Sequence, residues 1–344
     1  MIRIRADQFP FILLILLLLI AFVAFWSIMD MVFLGASLAI VLIPFHHRFS
    51  RHTQPWISAA FMTLAVLGIF CAMTLITLVI FSANSAILIR MFSTVGNWLS
   101  DPLTNPLAYG VPLSKATLSN LVNEGTALFV DYEKTLIAYL PIIAFKMFVF
   151  FFTLFMLFLR GEELKIKIIG HVPAPLIKYM GRLSKVTGDT LYAIWVVQIA
   201  VAALTFFIAI PVFYLLGYGD IIFYAFFAAF CELIPLLGSS TAVFLVGAYA
   251  IAINDTRGVL ILFFLGYLIV ALLPEVYVRP VLIGRRVKIH PVIMFIGIVG
   301  GIFTMGLAGF VLGPLIIVLV ITSYRMYTEE RKGRGEPGSL FQRK

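Results

Sequence analysis

Apolar residues in this chain neither alternate nor recur in narrow stripes. They come in long unbroken blocks, at Phe9–Trp26, Met29–Phe45, Trp56–Phe81, Tyr139–Leu159, Tyr192–Leu216, Ile221–Ile253, Val259–Val278 and Pro291–Tyr324. Blocks of about 20 apolar residues match the hydrocarbon thickness of a bilayer when wound as helices. A membrane barrel would instead show strands of about 10 residues in alternation. The pattern predicts an all-α, polytopic helical membrane protein.

The polar positions between the blocks orient them. The loop His46–His52 is basic, and so is the loop from Arg160 to Asp189, with Arg160, Lys165, Lys167, Lys178, Arg182 and Lys185. Arg279, Arg285, Arg286 and Lys288 form a third basic stretch, and the tail beyond Tyr324 a fourth. Lys and Arg gather on the cytoplasmic side of membrane proteins, so all four stretches and the N-terminus are expected there. The turn around Asp30, the stretch 83–138, the turn Gly217–Asp220 and Asn254-Asp255 are neutral to slightly acidic and belong on the opposite side.

This alternation isolates two blocks. Ile221–Ile253 begins and ends outside, and Pro291–Tyr324 begins and ends inside. Each is long for one crossing and short for two, since two crossings need roughly 40 residues and a turn. Each is also interrupted. The first breaks at Pro235-Leu-Leu-Gly238-Ser239-Ser240, the second around Gly300, Gly301, Gly306, Gly309 and Gly313-Pro314. The expected architecture is six full spans plus two broken helical hairpins of re-entrant type, with two plain spanning hairpins as the alternative. The chain then divides into a three-span region 1–82 and an extracytoplasmic helical insertion 83–138. Two spans joined by a basic cytoplasmic loop follow at 139–216, then a core 217–325 holding both hairpins, and a disordered cytoplasmic tail 326–344. Within the insertion, Ser114–Glu124 reads as a capped helix with an apolar face at Leu118, Leu121, Val122 and Leu128.

Composition sharpens the class. The chain is 62% hydrophobic and 12% charged, with a mean hydropathy of +1.09. A soluble protein keeps roughly 25% charged residues to face water. The net charge of +9 is explained by the basic cytoplasmic loops, so no nucleic-acid partner is expected. Cys71 and Cys231 both lie in apolar runs and read as small core residues. The first block follows Met1-Ile-Arg-Ile-Arg5, but no small-residue cleavage site ends it, so it reads as an uncleaved span.

Broken helices at membrane depth need a reason. Unpaired backbone groups in hydrocarbon cost several kcal/mol each, so such breaks survive inside protein or against a water-filled cavity. Transporters use them as binding sites, because half-helix ends aim partial charges at a solute or ion. Glu232 sits one turn before the first break. A carboxylate in a span is costly and normally faces a cavity or a partner. It is the candidate carrier of a coupling proton or cation, with a shallow position capping a neighbouring helix as the alternative. Pro235, Gly238, Ser239 and Ser240 would open the backbone, and Gly300, Gly301, Gly306, Gly309, Gly313 and Pro314 would form a facing wall for solute or ion. Glu275 and Arg279, four apart, are expected to pair on a helix. With His290 they are candidates for an ion pair or gate. Lys146 reads as a residue that snorkels outward.

Chemistry of other kinds is poorly represented. Gly238-Ser239-Ser240 is not a nucleophile elbow, there is no phosphate-binding loop, and His46, His47 and His52 lack acidic or Cys partners in their loop. No enzyme activity, metal site or cofactor is expected, apart from a coupling ion, H⁺ or Na⁺.

The stretches "ELIPLLGSSTAVFLVGAYAI" and "PEVYVRPVLIGRRVKIHPVIMFIGIVGGIFTMGLAGFVLGPLIIVLV" resemble the autoinducer-2 exporter family, the PerM-like permeases. The family pattern is Ile-Pro-x-x-Gly-Pro, then Pro-x-x-x-Gly, then Leu-His-Pro, then a Gly-rich run ending in Gly-x-Pro or Gly-Pro. It falls here on Ile234-Pro235…Gly238, Pro280…Gly284, Ile289-His290-Pro291, and the glycines from Gly300 to Gly313-Pro314. Ser239 stands where the family has Pro, and Ile289 where it has Leu. The resemblance implies secondary transport of a small polar organic solute or a monovalent cation, in the cytoplasmic membrane, by a homo-oligomer among lipid. Export of an autoinducer-2-like signal and Na⁺(Li⁺)/H⁺ antiport are both known in the family. A passive channel, or a scaffold acting through 83–138, are the other readings.

Overall fold

The computed structural model describes residues 9–100, 115–234, 237–283 and 291–333. Every element in them is helical: α1 (Phe9–Ala24), α2 (Trp26–Ser50), α3 (Pro55–Ala83), α4 (Ser85–Ser100), α5 (Lys115–Gly170), α6 (Ala174–Tyr192), α7 (Gln198–Leu216), α8 (Ile221–Leu233), α9 (Gly238–Ala252), α10 (Thr256–Ile261), α11 (Arg279–Ile283) and α12 (Pro291–Gly333). π-helical turns fill Ala193–Val197, Leu262–Leu272 and Pro274–Val278. The chain is a polytopic helical membrane protein. Six described helices are long and apolar enough to cross a bilayer: Trp26–Ser50, Pro55–Ala83, Tyr139–Gly170, Leu176–Leu216, Thr256–Val278 and Ala308–Glu330. The first block is helical as α1, which begins at the first described residue, and the second arm of the last hairpin supplies a full-length span.

The helices group into two compact units, 1–65 with 142–191 and 287–344, and 66–141 with 192–286. In the second, α7 packs on α8, α8 on α9, and α9 on α4 and the π segment Leu262–Leu272. In lipid, helices gain little from excluding water, so close packing of small side chains holds them together. The contacts here follow that rule: Ala209, Ala225, Ala228, Ala242, Val246 and Ala250 are all fully buried. Ala242, Val246 and Ala250 recur every fourth residue along one face of α9. Met91 of α4, Phe213 of α7 and Tyr224 of α8 fill the space around them.

The first hairpin is two half-helices. α8 has 13 residues and α9 has 15, about 20 and 22 Å at the helical rise, against about 30 Å of hydrocarbon. Its outer connections are tied. The Tyr218 hydroxyl donates to Asp255 Oδ2 at 2.7 Å, linking the turn before α8 to the turn after α9.

In the other unit, α12 is itself a hairpin, reversing at Gly306, whose φ is +59°. Its arms touch through glycines in register. A Cβ on Gly301 would lie 2.1 Å from the Gly309 carbonyl oxygen, and one on Gly313 would lie 2.0 Å from that of Gly297. Gly297 and Gly301 on one arm, Gly309 and Gly313 on the other, are two Gly-x-x-x-Gly pairs facing each other across Gly306. α2 runs against α12. Gly35 makes it lie close to α5, where a Cβ would stand 2.7 Å from the Phe150 carbonyl.

Several sequence expectations change. The turn expected at Asp30 lies at Phe25, and Asp30 is inside α2; its carboxylate pairs with Lys146. Lys146 accordingly does not snorkel away. The basic loop Arg160–Asp189 is helical on both sides of a turn at His171–Pro173, and Arg182 on α6 clasps Glu329 on α12 through both guanidinium nitrogens at 2.6 and 3.2 Å. α12 continues to Gly333, past the expected start of the tail. Cys231 is buried as expected, but Cys71 is exposed, because α3 turns its apolar surface outward along its length. Within 83–138, α4 packs on α9, and α5 runs unbroken from Lys115 through the following span. Ser114 lies outside the described residues, as do the side chains of Leu118, Leu121, Val122 and Leu128.

Candidate functional site

At the break of the first hairpin the chain leaves α8 after Leu233 and re-enters helix at Gly238, whose φ of +61° suits a residue without a Cβ. Two sets of backbone groups are orphaned there: the last carbonyls of α8 and the first N–H groups of α9. Glu232 and Gln198 answer them. The Ser239 N–H donates to Glu232 Oε2 at 2.8 Å, so the acid at the end of one half-helix caps the start of the other, where the helix dipole favours negative charge. The Gln198 side-chain amide of α7 donates to the Glu232 carbonyl oxygen.

A cation completes the site. Arg279, at the start of α11, donates to Glu232 Oε1 at 2.8 Å, to Gln198 Oε1 at 3.0 Å and to Glu275 Oε2 at 2.9 Å. Glu232 is 1% exposed, and the Arg279 and Glu275 side chains 20% and 54%. The cluster thus grades from a sealed carboxylate to an open one. Arg279 Nε is buried without a hydrogen-bond partner among the described residues. The π turn Pro274–Val278 presents Glu275 and Arg279 together; such turns recur at functional sites. Ser239 contributes twice, since its hydroxyl also donates to the Val270 carbonyl at 2.8 Å, inside the neighbouring π segment. The Ser240 hydroxyl turns back to the Leu237 carbonyl.

The pairing of Glu275 with Arg279 was legible in their spacing, and Glu232 accepts the Ser239 N–H at the start of the next half-helix. The third partner was not foreseen. Gln198 is a lone amide in the apolar run Tyr192–Leu216, and that isolation was the available signal. Arg279 bridging to Glu232 joins residues 47 positions apart and left no local trace. Pro235, Gly284 and His290 lie outside the described residues, as does the side chain of Pro291. Among the described residues no group of His, Cys, Asp and Glu is arranged to hold a metal ion.

The candidates of the second hairpin fall in the other unit. Gly301, Gly309 and Gly313 sit against facing backbone, Gly306 makes the reversal, and Pro314 is buried against Gly297. Gly300 differs: a Cβ there would meet nothing within 4 Å.

The sequence profile of the AI-2E family transporters matches residues 11–329. The chain belongs to that family. A protein of Methanothermobacter thermautotrophicus, provisionally named a transport protein, is 28% identical over 95% of both chains. One from Methanocaldococcus jannaschii with the same provisional name is 19% identical over 95% of this chain and 99% of its own. A third, from Treponema pallidum, is 32% identical over 50% of this chain and 42% of its own. For this AI-2E family chain the likeness to proteins provisionally named for transport therefore covers 95% of its length, and the break with its Glu232–Arg279 cluster lies inside the matched region.

Proposed function

We propose that this AI-2E family protein is a secondary transporter of the cell membrane. It moves a small polar organic solute or a monovalent cation, coupled to a gradient of H⁺ or Na⁺. The observation that carries the reading is the Glu232–Arg279 pair at the break between two half-helices, each too short to cross a bilayer alone. Ion pairs in membrane segments mark solute and ion pathways. A bridge that is sealed on the Glu232 side and open on the Glu275 side gives Arg279 two acids to choose between. A cation or proton reaching Glu232 competes with Arg279 at Oε1 and weakens the Oε2 bond that caps α9, and Arg279 is released toward Glu275. Ion occupancy is thereby coupled to the shape of the break, which is what secondary transport requires. Arg279 Nε, without a partner among the described residues, is the donor for a solute oxygen once the cluster opens. The reading keeps both termini cytoplasmic, the hairpins re-entrant and the assembly homo-oligomeric.

The test is reconstitution in liposomes, following internal pH after an imposed Na⁺ or Li⁺ gradient, for wild type and Glu232→Gln. Cation-driven proton movement lost in Glu232→Gln supports coupling at the break. Proton movement that Glu232→Gln leaves unchanged moves the ion elsewhere. No movement with either cation removes antiport and sends the same variant to organic-solute efflux assays. Solute flux without any coupled ion would make the protein a passive channel.

A further inference from the structure

A second polar site lies in the other unit, at the tip of the α12 hairpin. A cavity of about 210 Å³ is lined by Trp26, Phe33 and Asp30 of α2, by Lys146 of α5, and by Thr304, Met305 and Ala308 flanking Gly306. Lys146 Nζ stands 2.7 Å from Asp30 Oδ2, and both side chains are about three-quarters buried, 28% and 26% exposed. The other Asp30 oxygen accepts the Met31 N–H at 2.8 Å. Both charges belong to candidate membrane spans, and the cavity beside them opens on an indole and two small hydroxyl or methyl groups at the hairpin tip.

We propose that this cavity binds a small zwitterion of amino-acid size. Charge balance selects the class. A lone cation taken up by Asp30 would leave the Lys146 ammonium unpaired in a poorly solvated place, and a lone anion on Lys146 would strand Asp30; breaking one partner of such a pair is strongly unfavourable. A ligand carrying both charges divides the pair and leaves neither side uncompensated. The volume sets the size: drug-sized ligands occupy roughly 300–1,000 Å³, and this space is smaller. Trp26, Phe33 and Met305 supply an apolar wall for a short side chain. The Lys146 ammonium carries three donors and uses one on Asp30 among the described residues, so it can hold a carboxylate while Asp30 turns to an ammonium group. This inference is independent of the Glu232 reading, which concerns other residues in the other unit.

The full-length protein in lipid nanodiscs would be titrated calorimetrically with glycine, alanine and serine, and separately with propionate, ethylamine and sodium chloride. The expected result is saturable binding of at least one zwitterion and none of the singly charged probes. Asp30→Asn should weaken that binding about tenfold or more, the scale of one charge-assisted hydrogen bond. Met305→Trp fills the cavity and leaves the ion pair in place, so it decides the matter if Asp30→Asn does not fold; it should abolish binding with the thermal midpoint retained. Failure of all three zwitterions to bind wild type would overturn the proposal. So would undiminished binding by Met305→Trp, or binding of propionate, ethylamine or Na⁺ as tight as that of the zwitterion.

Discussion

Glu232 and Arg279 lie 47 positions apart in the chain and 2.8 Å apart across the break of the first hairpin. One is sealed, the other a fifth exposed, and the acid caps the half-helix that follows it. Removing one member of a buried pair strands the other's charge, at about 3–5 kcal/mol. Arg279→Gln is therefore expected to destabilise the protein by about 3 kcal/mol, whereas Glu275→Gln, on the open side, should cost under about 1 kcal/mol. Glu232→Gln with Arg279→Gln together should recover part of the loss. Unfolding in graded SDS–detergent mixtures measures all four proteins; equal losses for Arg279→Gln and Glu275→Gln would show that the Glu232 bridge contributes nothing.

Ser239 donates twice, from its backbone to Glu232 and from its hydroxyl to Val270. Ser239→Ala removes the second bond and should cost about 1–2 kcal/mol. Ser239→Pro places the residue of the family pattern here and removes both bonds, because Pro has no N–H. Its loss should exceed that of Ser239→Ala in the same unfolding assay. If Ser239→Pro proves as stable as wild type, Glu232 does not depend on its cap.

The glycines of the α12 hairpin are not equivalent. A methyl group on Gly301 or Gly309 would meet facing backbone that cannot turn aside, at 2.1 and 1.8 Å. Gly301→Ala and Gly309→Ala are expected to cost about 1–3 kcal/mol or more by overpacking. Gly300→Ala meets open space and should keep the thermal midpoint of wild type. Differential scanning fluorimetry on the three variants separates them. Matching midpoints would mean that the arms do not touch.

The tie between Tyr218 and Asp255 sets a pH window. The Asp255 carboxyl is held below the usual carboxylate range, first by the Gly258 backbone N–H and then by the Tyr218 hydroxyl. A lowered folded-state value means stability that is present above about pH 4 and lost as pH falls further. The Tyr218 hydroxyl is pushed up, first by burial and then by its bond to Asp255. A raised value means stability that is present below about pH 10 and lost on going more alkaline. Thermal midpoints across pH should thus sag at both ends. Asp255→Asn should flatten the acid limb, and Tyr218→Phe the alkaline one. Gly258 allows the close approach, since a Cβ there would lie 2.3 Å from the Tyr218 hydroxyl oxygen; Gly258→Ala should weaken both limbs.

Much of this protein could be read before its structure. The unbroken apolar blocks and the scarcity of charge determine helical membrane spans, because lipid leaves backbone groups no other partner. Pro235 and Gly238 mark the first break and the glycines around Gly306 mark the second, since Pro and clustered Gly in the middle of an apolar block disfavour continuous helix. The i,i+4 spacing of Glu275 and Arg279 is likewise a local fact. Tertiary structure alone decided which charges meet. Arg279 reaches Glu232, Lys146 reaches Asp30, and Gln198 closes an orphaned carbonyl, because α7, α8 and α11 in one unit, and α2 and α5 in the other, come together in space. It also decided that Gly301 and Gly309 touch backbone while Gly300, one residue away, does not. That difference of one helical step depends on which face each arm turns to the other, and nothing in the order of residues states it.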